Sequence, residues 1–257
     1  IQKLVRLCYK KLSMKRKSLN VQKLKHALLK DKKILNQYLK LKKVLSKNKN
    51  SKNFTVAVSG GPDSMALVGL SNILMSEKKN KVFYALVDHG IRKNSGKESK
   101  QVKKLLEKNN IKLEILKNKK KIIKNIQKNA RQIRYQLLSN FCKKKRTSYL
   151  LTAHHQDDQI ETFFIRLSRG SGVEGLSSMS EKTKISYGIN LIRPFLDSQK
   201  KELSYISKKI FRKTFKDPSN TNKKFLRTNI RTNIRNLKSI LEQKGLDPQK
   251  IANSIKN

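Results

Sequence analysis

Short apolar runs alternate with longer segments of helical spacing through the middle of this chain. Phe54 to Val58 is rich in β-branched and aromatic residues, which is typical of a buried strand. After a polar stretch, apolar residues from Leu67 to Leu74 recur at the spacing of a helix. The same patterns predict strands at 82–87, 111–116 and 149–153 and helices at 96–109, 129–143 and 156–168. Strands that alternate with helices predict an α/β fold, a Rossmann-like parallel sheet with helices on both faces.

More basic segments flank this region. The spacing of Leu24, Leu28, Leu35 and Leu39 predicts an amphipathic helix over 21–46, and a polar linker follows it. The arginine and serine bias of a transit peptide is missing, so we interpret this segment as an extension that faces RNA or solvent. Beyond the sheet region, the sequence predicts a loop or hairpin at 177–190, a helix at 198–209 and another from Phe225. We predict three parts: a basic helical extension with its linker at 1–52, an α/β domain at 53–180, and a small, mainly helical C-terminal segment at 181–257.

Composition adds a strong charge to this picture. The 257 residues include 62 Lys and Arg against 17 Asp and Glu, a net charge of +45. Such a surface attracts polyanions and predicts nucleic acid as a partner, although a genome that favours Lys, Asn and Ile would raise the charge as well. No apolar run approaches the length of a membrane span, so we expect no membrane partner. The two cysteines form no pair motif, which fits the cytoplasm, or an organelle matrix if the gene is organellar.

The polar stretch between the first strand and its helix has the composition of a phosphate-binding loop. It reads Ser59-Gly60-Gly61-Pro62-Asp63-Ser64. Glycine lacks a Cβ, so an anion can approach the backbone N–H groups, and the N-terminus of the following helix carries a partial positive charge. No Gly-Lys-Ser/Thr follows, which excludes the Walker loop. An acid such as Asp63 beside a phosphate predicts a metal cation, whereas an ordinary strand-to-helix turn is the alternative for the whole loop.

Two further polar clusters are predicted at the same side of the sheet as this loop. Asp88-His89-Gly90 directly follows the strand at 82–87. Ligands of parallel sheets lie at the carboxyl ends of strands, which favours a binding role for this cluster over a simple turn. Arg131 and Arg134 are three residues apart and therefore share a helix face. Arginine suits bidentate contact with phosphate, although a solvated basic face is the alternative in so basic a chain.

The densest group of acids follows the predicted strand at 149–153. A helix that begins near His155 would bring His154, Asp158 and Glu161 together on one face at its N-terminal end. Adjacent carboxylates suit Mg²⁺ or an ammonium group, and an acidic helix cap is the alternative. Arg169 then lies at the start of a loop rich in glycine and serine, which suits phosphate but is also typical of a plain surface loop.

Taken in order, these motifs resemble one branch of the PP-loop ATP pyrophosphatases, the tRNA(Ile)-lysidine synthases. The resemblance runs from about 54 to 236 and identifies 53–180 as a PP-loop ATP-binding domain. It rests on the segments S-G-G-P-D-S, D-H-G-I-R, N-A-R-Q-I-R-Y, T-A-H-H-Q-D-D-Q-I-E-T, R-L-S-R-G-S-G-V-E-G-L, R-P-F and D-P-S-N. Around Arg231, R-T-N-I-R fits the family pattern R-N-x-I-R with Thr for Asn, and the Leu-Pro pair of the family does not follow. We expect the extra C-terminal domain of longer relatives to be short or absent, which leaves open how the tRNA is selected.

The resemblance implies a ligase reaction in two steps. ATP adenylates the wobble cytidine of an isoleucine tRNA with a CAU anticodon, and the amine of free L-lysine then displaces AMP to form lysidine. The implied cofactors are ATP and Mg²⁺, the implied partners are tRNA and lysine, and a homodimer is left open. The implied catalytic residues are Asp63, Asp158 and Glu161, with Asp63 also the metal ligand. Cofactor binding is implied for Ser59, Gly60, Gly61, Pro62, Asp63, Ser64 and His89. Substrate binding is implied for Arg131, His154, Asp158, Glu161, Arg169 and Arg231.

Two other functions compete with this interpretation. Another PP-loop enzyme, such as a tRNA thiolase or an amidotransferase-type synthetase, would use the same loop, but thiolases normally need reactive cysteines, often as C-x-x-C, and no such pair occurs here. A basic RNA-binding protein that has lost catalysis would explain the charge. The acids Asp63, Asp158 and Glu161 argue against it, because RNA binding alone favours a cleft without acids.

Overall fold

The computed structural model describes residues 27–48, 53–77, 81–92, 94–118, 122, 124–172, 174–177, 179–212 and 233. Its helices are α1 (Lys32–Ser46), α2 (Pro62–Glu77), α3 (Ser95–Lys108), α4 (Ile126–Lys144), α5 (Gln156–Leu167) and α6 (Lys200–Phe211). Its strands are β1 (Asn53–Val58), β2 (Lys81–Asp88), β3 (Leu113–Lys117), β4 (Tyr149–Leu151), β5 (Lys182–Lys184) and β6 (Asn190–Ile192). The strands and helices predicted between 54 and 168 are confirmed, with bounds that differ by a few residues. The D-P-S-N segment that begins at Asp217 and the start of the helix predicted from Phe225 lie outside the described residues.

The strands form one six-stranded sheet in the order β3-β2-β1-β4-β6-β5. β5 runs antiparallel to β6, and the other neighbours pair in parallel, with Phe54 opposite Val82 and Thr55 opposite Leu150. The prediction of an α/β fold with a parallel sheet is therefore confirmed, with one antiparallel strand at its edge. The sequence outlined this region only as a loop or hairpin, because all three residues of β5 are polar and exposed and β6 contributes only two buried residues.

Side chains of the central strands alternate between two apolar layers, one on each face of the sheet. On one face Val56, Val58 and Leu86 pack in a large cluster with residues of α1, α2, α3 and α6. On the other face Ala85 and Leu150 pack with residues of α4. The predicted helices on both faces are therefore confirmed.

Helix α1 is part of the larger apolar layer. Its buried apolar residues are Ile34, Tyr38, Leu41 and Val44, at the spacing of one helix face. This part of the predicted extension is therefore packed on the domain instead of facing RNA or solvent, while residues 1–26 lie outside the described part of the chain. The predicted boundaries stay predictions, although β5 and β6 continue the sheet beyond residue 180. No helix among the described residues is long and apolar enough to cross a membrane.

The parallel strands bring the polar clusters to one edge of the sheet. Parallel neighbours end at the same side, so the residues that follow β1, β2, β4 and β6 meet there. We call this side the carboxyl edge. It carries Ser59 after β1, His89 after β2, His154 and His155 after β4, and Arg193 after β6.

Candidate active site

The loop from Ser59 to Ser64 joins β1 to α2 and is shaped by its own hydrogen bonds. The Oγ atom of Ser64 accepts from the backbone N–H of Ser59 at 3.2 Å and from its Oγ at 3.0 Å, and donates to the carbonyl of Gly61 at 3.0 Å. Pro62 occupies the first position of α2, where its lack of an N–H costs nothing. The Ser64 hydroxyl therefore holds the loop, and the N–H groups at the start of α2 are the donors left for an anion.

Gly60 has two separate reasons to be glycine. Its φ of +84° lies in the left-handed region, and a Cβ there would lie 2.7 Å from Cγ2 of Val102 in α3. Gly60→Ala should therefore lower the free energy of unfolding by about 2–4 kcal/mol, the sum of left-handed strain and overpacking. Chemical denaturation measures this loss.

Gly188→Ala is the matched control for Gly60→Ala. Gly188 has a φ of +71°, but nothing lies within 4 Å of an added Cβ. Gly188→Ala introduces the same backbone strain without a close contact, so it should lower the free energy of unfolding by only about 1–2 kcal/mol. Equal losses in the two variants would show that the close approach of α3 does not constrain the loop.

His155 connects this loop to helix α5. Its Nε2 atom lies 3.5 Å from Oδ2 of Asp63 and 3.6 Å from Oδ2 of Asp158, and the residue is only 2% exposed. The backbone N–H of His155 also donates to Oδ2 of Asp158 at 3.1 Å, which caps the N-terminus of α5. The structure therefore brings together two carboxylates predicted as catalytic, with an imidazole between them.

The carboxylates determine the charge of this imidazole. Burial alone would lower the pKa of His155, but the hydrogen bond to Asp63 and the charges of Asp158, Asp63 and Asp157 outweigh it and raise the pKa above its ordinary value. A protonated His155 would offset part of the negative charge of Asp63 and Asp158. This compensation is one reason why two acids can share a partly buried site.

The second oxygen of Asp63 fits a role in cation binding. Oδ1 of Asp63 is buried and has no hydrogen-bond partner among the described residues. An unpaired carboxylate oxygen beside the start of a helix is a suitable ligand for Mg²⁺, which commonly uses one or two carboxylates together with substrate phosphates. No group of three or more His, Cys, Asp and Glu side chains in the described part of the chain forms a metal site by itself.

Helix α5 buries polar residues where an ordinary helix would bury apolar ones. Its buried positions are Gln156, Asp158, Gln159 and Glu161, with Glu161 only 2% exposed. Carboxylates are rarely buried in a helix face that packs on a domain, so such a face indicates function rather than stability. Asp158 and Glu161 are three residues apart on this face, as the sequence predicted.

Gln159 in the same buried face fixes the loop after α5. Its Nε2 donates to the carbonyl of Met179 at 2.9 Å, and its Oε1 accepts from the N–H of Met179 at 2.7 Å. Arg166 donates to the carbonyl of Ser177, and Arg193 donates to the carbonyl of Ser180 at 2.7 Å. The side chains of Gln159, Arg166 and Arg193 therefore fix backbone groups of the loop that follows α5.

His89 is placed at the carboxyl edge and is neutral at pH 7. Burial lowers its pKa to about 4, and the charge of Arg134 adds to this effect while Asp88 opposes it. Nε of Arg134 donates to Nε2 of His89 at 3.4 Å. Since Nε2 accepts, the proton of the neutral ring is on Nδ1, which is buried without a hydrogen-bond partner among the described residues. His89 therefore offers a donor, which suits its predicted role in cofactor binding.

The other predicted substrate residues are less tightly held. His154 is half-buried, and its Nδ1 lies 2.9 Å from Oγ1 of Thr152. Arg131 is exposed, with its guanidinium 5.1 Å from the ring centre of Tyr135, and Arg169 is exposed after α5. Arg231 lies outside the described residues. Their assignment to substrate binding stays a prediction.

Sequence reasoning missed residues that act through their neighbours. His155 was passed over for His154, although a side chain at the helix cap, three residues before an acid, was the signal for a contact with Asp158. Arg134 contacts His89 from the face that it shares with Arg131. Gln159 and Arg193 bind backbone groups that come from distant parts of the sequence, and no local pattern could indicate this.

Comparisons with known proteins show which family this chain is similar to. A family model described as a PP-loop domain matches residues 31–238, and this match begins at the residue that caps α1. The tRNA(Ile)-lysidine synthase of Wolbachia pipientis wMel is 43% identical over 176 residues, which cover 67% of this chain and 41% of that protein. That of Orientia tsutsugamushi (strain Boryong) is 37% identical over 185 residues, which cover 71% of this chain and 41% of that protein. The chain thus spans about two fifths of the length of these curated relatives.

A solved structure shares the fold. The U34-tRNA thiolase NcsA from Methanococcus maripaludis, determined with its 4Fe-4S cluster, superposes with a TM-score of 0.71. The match covers 87% of this chain and 77% of that chain at 21% sequence identity. At this identity the likeness concerns the fold alone.

Proposed function

This chain belongs to the PP-loop family, and on that premise we propose that it attaches free L-lysine to C2 of the wobble cytidine in the CAU-anticodon isoleucine tRNA, with ATP as the activating substrate. The observation that carries the proposal is the position of His155, within 3.6 Å of both Asp63 and Asp158. This contact places the phosphate loop and the acidic helix at one site. A reaction in which ATP first activates an oxygen and an amine then attacks needs a phosphate-binding loop and carboxylates for the amine at one site.

In the first step the C2 oxygen of cytidine attacks the α-phosphate of ATP, and the bond to pyrophosphate breaks. The N–H groups at the start of α2 would bind phosphate oxygens, with the loop held by Ser59 and Ser64. Asp63 would hold Mg²⁺ through its unpaired Oδ1. The cation, when bound, would neutralise charge on the phosphates of ATP. The Nδ1–H of His89 would donate a hydrogen bond to the nucleotide.

In the second step the ε-amine of lysine attacks C2, and AMP leaves with the C2 oxygen. Asp158 and Glu161 would bind the ammonium form, because a buried cation needs carboxylate partners. One of their carboxylate oxygens would accept the proton that the amine must lose before it is nucleophilic. Both steps would use the carboxyl edge, so the activated cytidine need not leave the site between them.

The basic surface suits the proposed tRNA partner. With a net charge of +45, many lysines and arginines can displace the counterions of an RNA backbone. Arg131 and Arg169 are exposed and are our candidates for such contacts. Arg231 keeps its predicted role in tRNA binding.

The shared fold raises tRNA thiolation as a rival function. An iron–sulfur cluster is held by several cysteine thiolates. This chain has only two cysteines, and Cys142 is fully buried, which raises the pKa of its thiol. The cysteine content therefore favours lysine ligation over thiolation.

The experiment that tests the proposal is incubation of the full chain with ATP, labelled L-lysine and a transcript of the isoleucine tRNA with a CAU anticodon. We expect label in the tRNA and one AMP per lysine incorporated. A transcript with uridine at the wobble position is the control, and it should accept no lysine. If the folded protein incorporates no lysine into the CAU transcript, or labels both transcripts equally, the proposed function is wrong.

A further inference from the structure

A buried hydroxyl ties helix α1 to the segment between β6 and α6. Oγ of Ser198 donates to Oε1 of Gln37 at 2.5 Å and accepts from Nζ of Lys40 at 3.3 Å. Ser198 is 0% exposed and Gln37 is 1% exposed. Gln37 interrupts the apolar face with which α1 packs on the domain, where an apolar residue would be less costly to bury. The contact with Ser198 explains why an amide side chain occupies this buried position.

The same serine also contacts the start of helix α5. The carbonyl of Ser198 accepts from the backbone N–H of Gln156 at 3.0 Å, and Phe195 pairs with His155 in an isolated parallel bridge. The first N–H groups of a helix have no partner within the helix, so an outside acceptor fixes the position of its first turn. Directly before Gln156, the N–H of His155 donates to the carboxylate of Asp158.

We propose that Gln37 and Ser198 are positioning residues for Asp158, and that α1 is therefore part of the working site. The chain of contacts runs from Gln37 through Ser198 and Gln156 to the helix cap at which Asp158 is held. The inference rests on the proposed function in one respect, namely that Asp158 binds the lysine amine. The physical connection between α1 and α5 does not depend on that function.

A second contact of α1 provides the matched control. The hydroxyl of Tyr205 in α6 donates to Oδ2 of Asp31 at 2.5 Å, and Asp31 caps α1. This contact holds the same helix to the same domain, but it does not involve Ser198 or α5. Tyr205→Phe should therefore weaken the attachment of α1 without moving Asp158.

The first measurement is hydrogen exchange at the amide of Gln156 in the full chain. Ser198→Ala removes the hydroxyl contact with Gln37 but keeps the backbone carbonyl that accepts from Gln156. Loss of this side-chain contact, worth about 1 kcal/mol, should loosen the carbonyl and accelerate the exchange about fivefold relative to the amide of Val56 in β1. Tyr205→Phe should change the same ratio less than twofold. Gln37→Met should reproduce the effect of Ser198→Ala, and it replaces that variant if Ser198→Ala does not fold. An unchanged ratio in the serine and glutamine variants, or an equal change in all three, overturns the proposal.

The second measurement is the KM for lysine in the ligation assay. We expect Ser198→Ala to raise it about fivefold, with the KM for ATP unchanged and Tyr205→Phe like the wild type. The double variant Gln37→Met/Ser198→Ala should be no worse than Ser198→Ala alone, because both substitutions remove the same contact between Gln37 and Ser198. Faster exchange with an unchanged KM for lysine overturns the link to Asp158. A wild-type protein that transfers no lysine rejects the proposed function, whereas the exchange measurement still decides whether α1 positions α5.

Discussion

Replacement of Asp63 by Asn is expected to reduce the formation of AMP and pyrophosphate roughly 100- to 1,000-fold, as loss of one preorganised electrostatic group does elsewhere. Asn has the shape of Asp but lacks the charge that would hold a cation beside the phosphate loop. Oδ1 of Asp63 is buried without a hydrogen-bond partner among the described residues, which leaves this oxygen for a ligand. The measurement is pyrophosphate release from ATP in the presence of the CAU transcript, with and without lysine.

Glu107→Gln is the control for this variant. Glu107 forms an exposed ion pair with Lys103 in α3, so its loss changes the net charge equally at a distance from the site. It should release pyrophosphate at the wild-type rate. Thermal unfolding should show that Asp63→Asn remains folded, since its side chain is still partly exposed at the start of α2. Normal pyrophosphate release by folded Asp63→Asn would show that Asp63 is not a metal ligand.

The fold was predictable where one element contains enough residues to show its period. β1 and β2 have six and eight residues, and each contains a run of buried residues because both faces of the sheet are packed. The hairpin of β5 and β6 was outlined but not assigned, because all three residues of β5 are exposed and carry no apolar signal. Helix α1 was also predicted, but its buried face was not, since Leu39 was assigned to that face and is 49% exposed. Its lysines obscured the fact that Ile34 and Leu41 pack in the main core.

The site was predictable where its residues follow strands directly. Asp63, His89 and Asp158 were expected at the carboxyl ends of parallel strands, and the topology places them there. The contact between Asp63 and Asp158 through His155 depends on which strands are neighbours, and β1 pairs with β4 although two strands separate them in the sequence. No local pattern states such a pairing. The same limit applies to Gln37, whose partner Ser198 is 161 residues away.

Replacement of Glu161 by Gln should separate the two chemical steps. Gln keeps the size of the side chain and removes the charge that an ammonium group needs in a closed site. Glu161 is 2% exposed, so water cannot replace the lost charge. The expected cost is on the order of 2–3 kcal/mol, or roughly 30- to 150-fold in apparent lysine affinity. Adenylation should continue, because the phosphate loop and Asp63 are not altered.

The adenylated tRNA is the species that decides this prediction. With ATP present and lysine limiting, Glu161→Gln should accumulate it, and mass spectrometry of quenched tRNA measures the amount. Asp157→Asn is the matched control, since it removes one carboxylate from the first turn of the same helix at a position that is not fully buried. It should transfer lysine with an affinity within about twofold of the wild type, because a partly exposed charge is screened by water and contributes little. If Glu161→Gln forms no adenylate at saturating ATP, Glu161 serves the first step, and the assignment of lysine to the buried face of α5 is wrong.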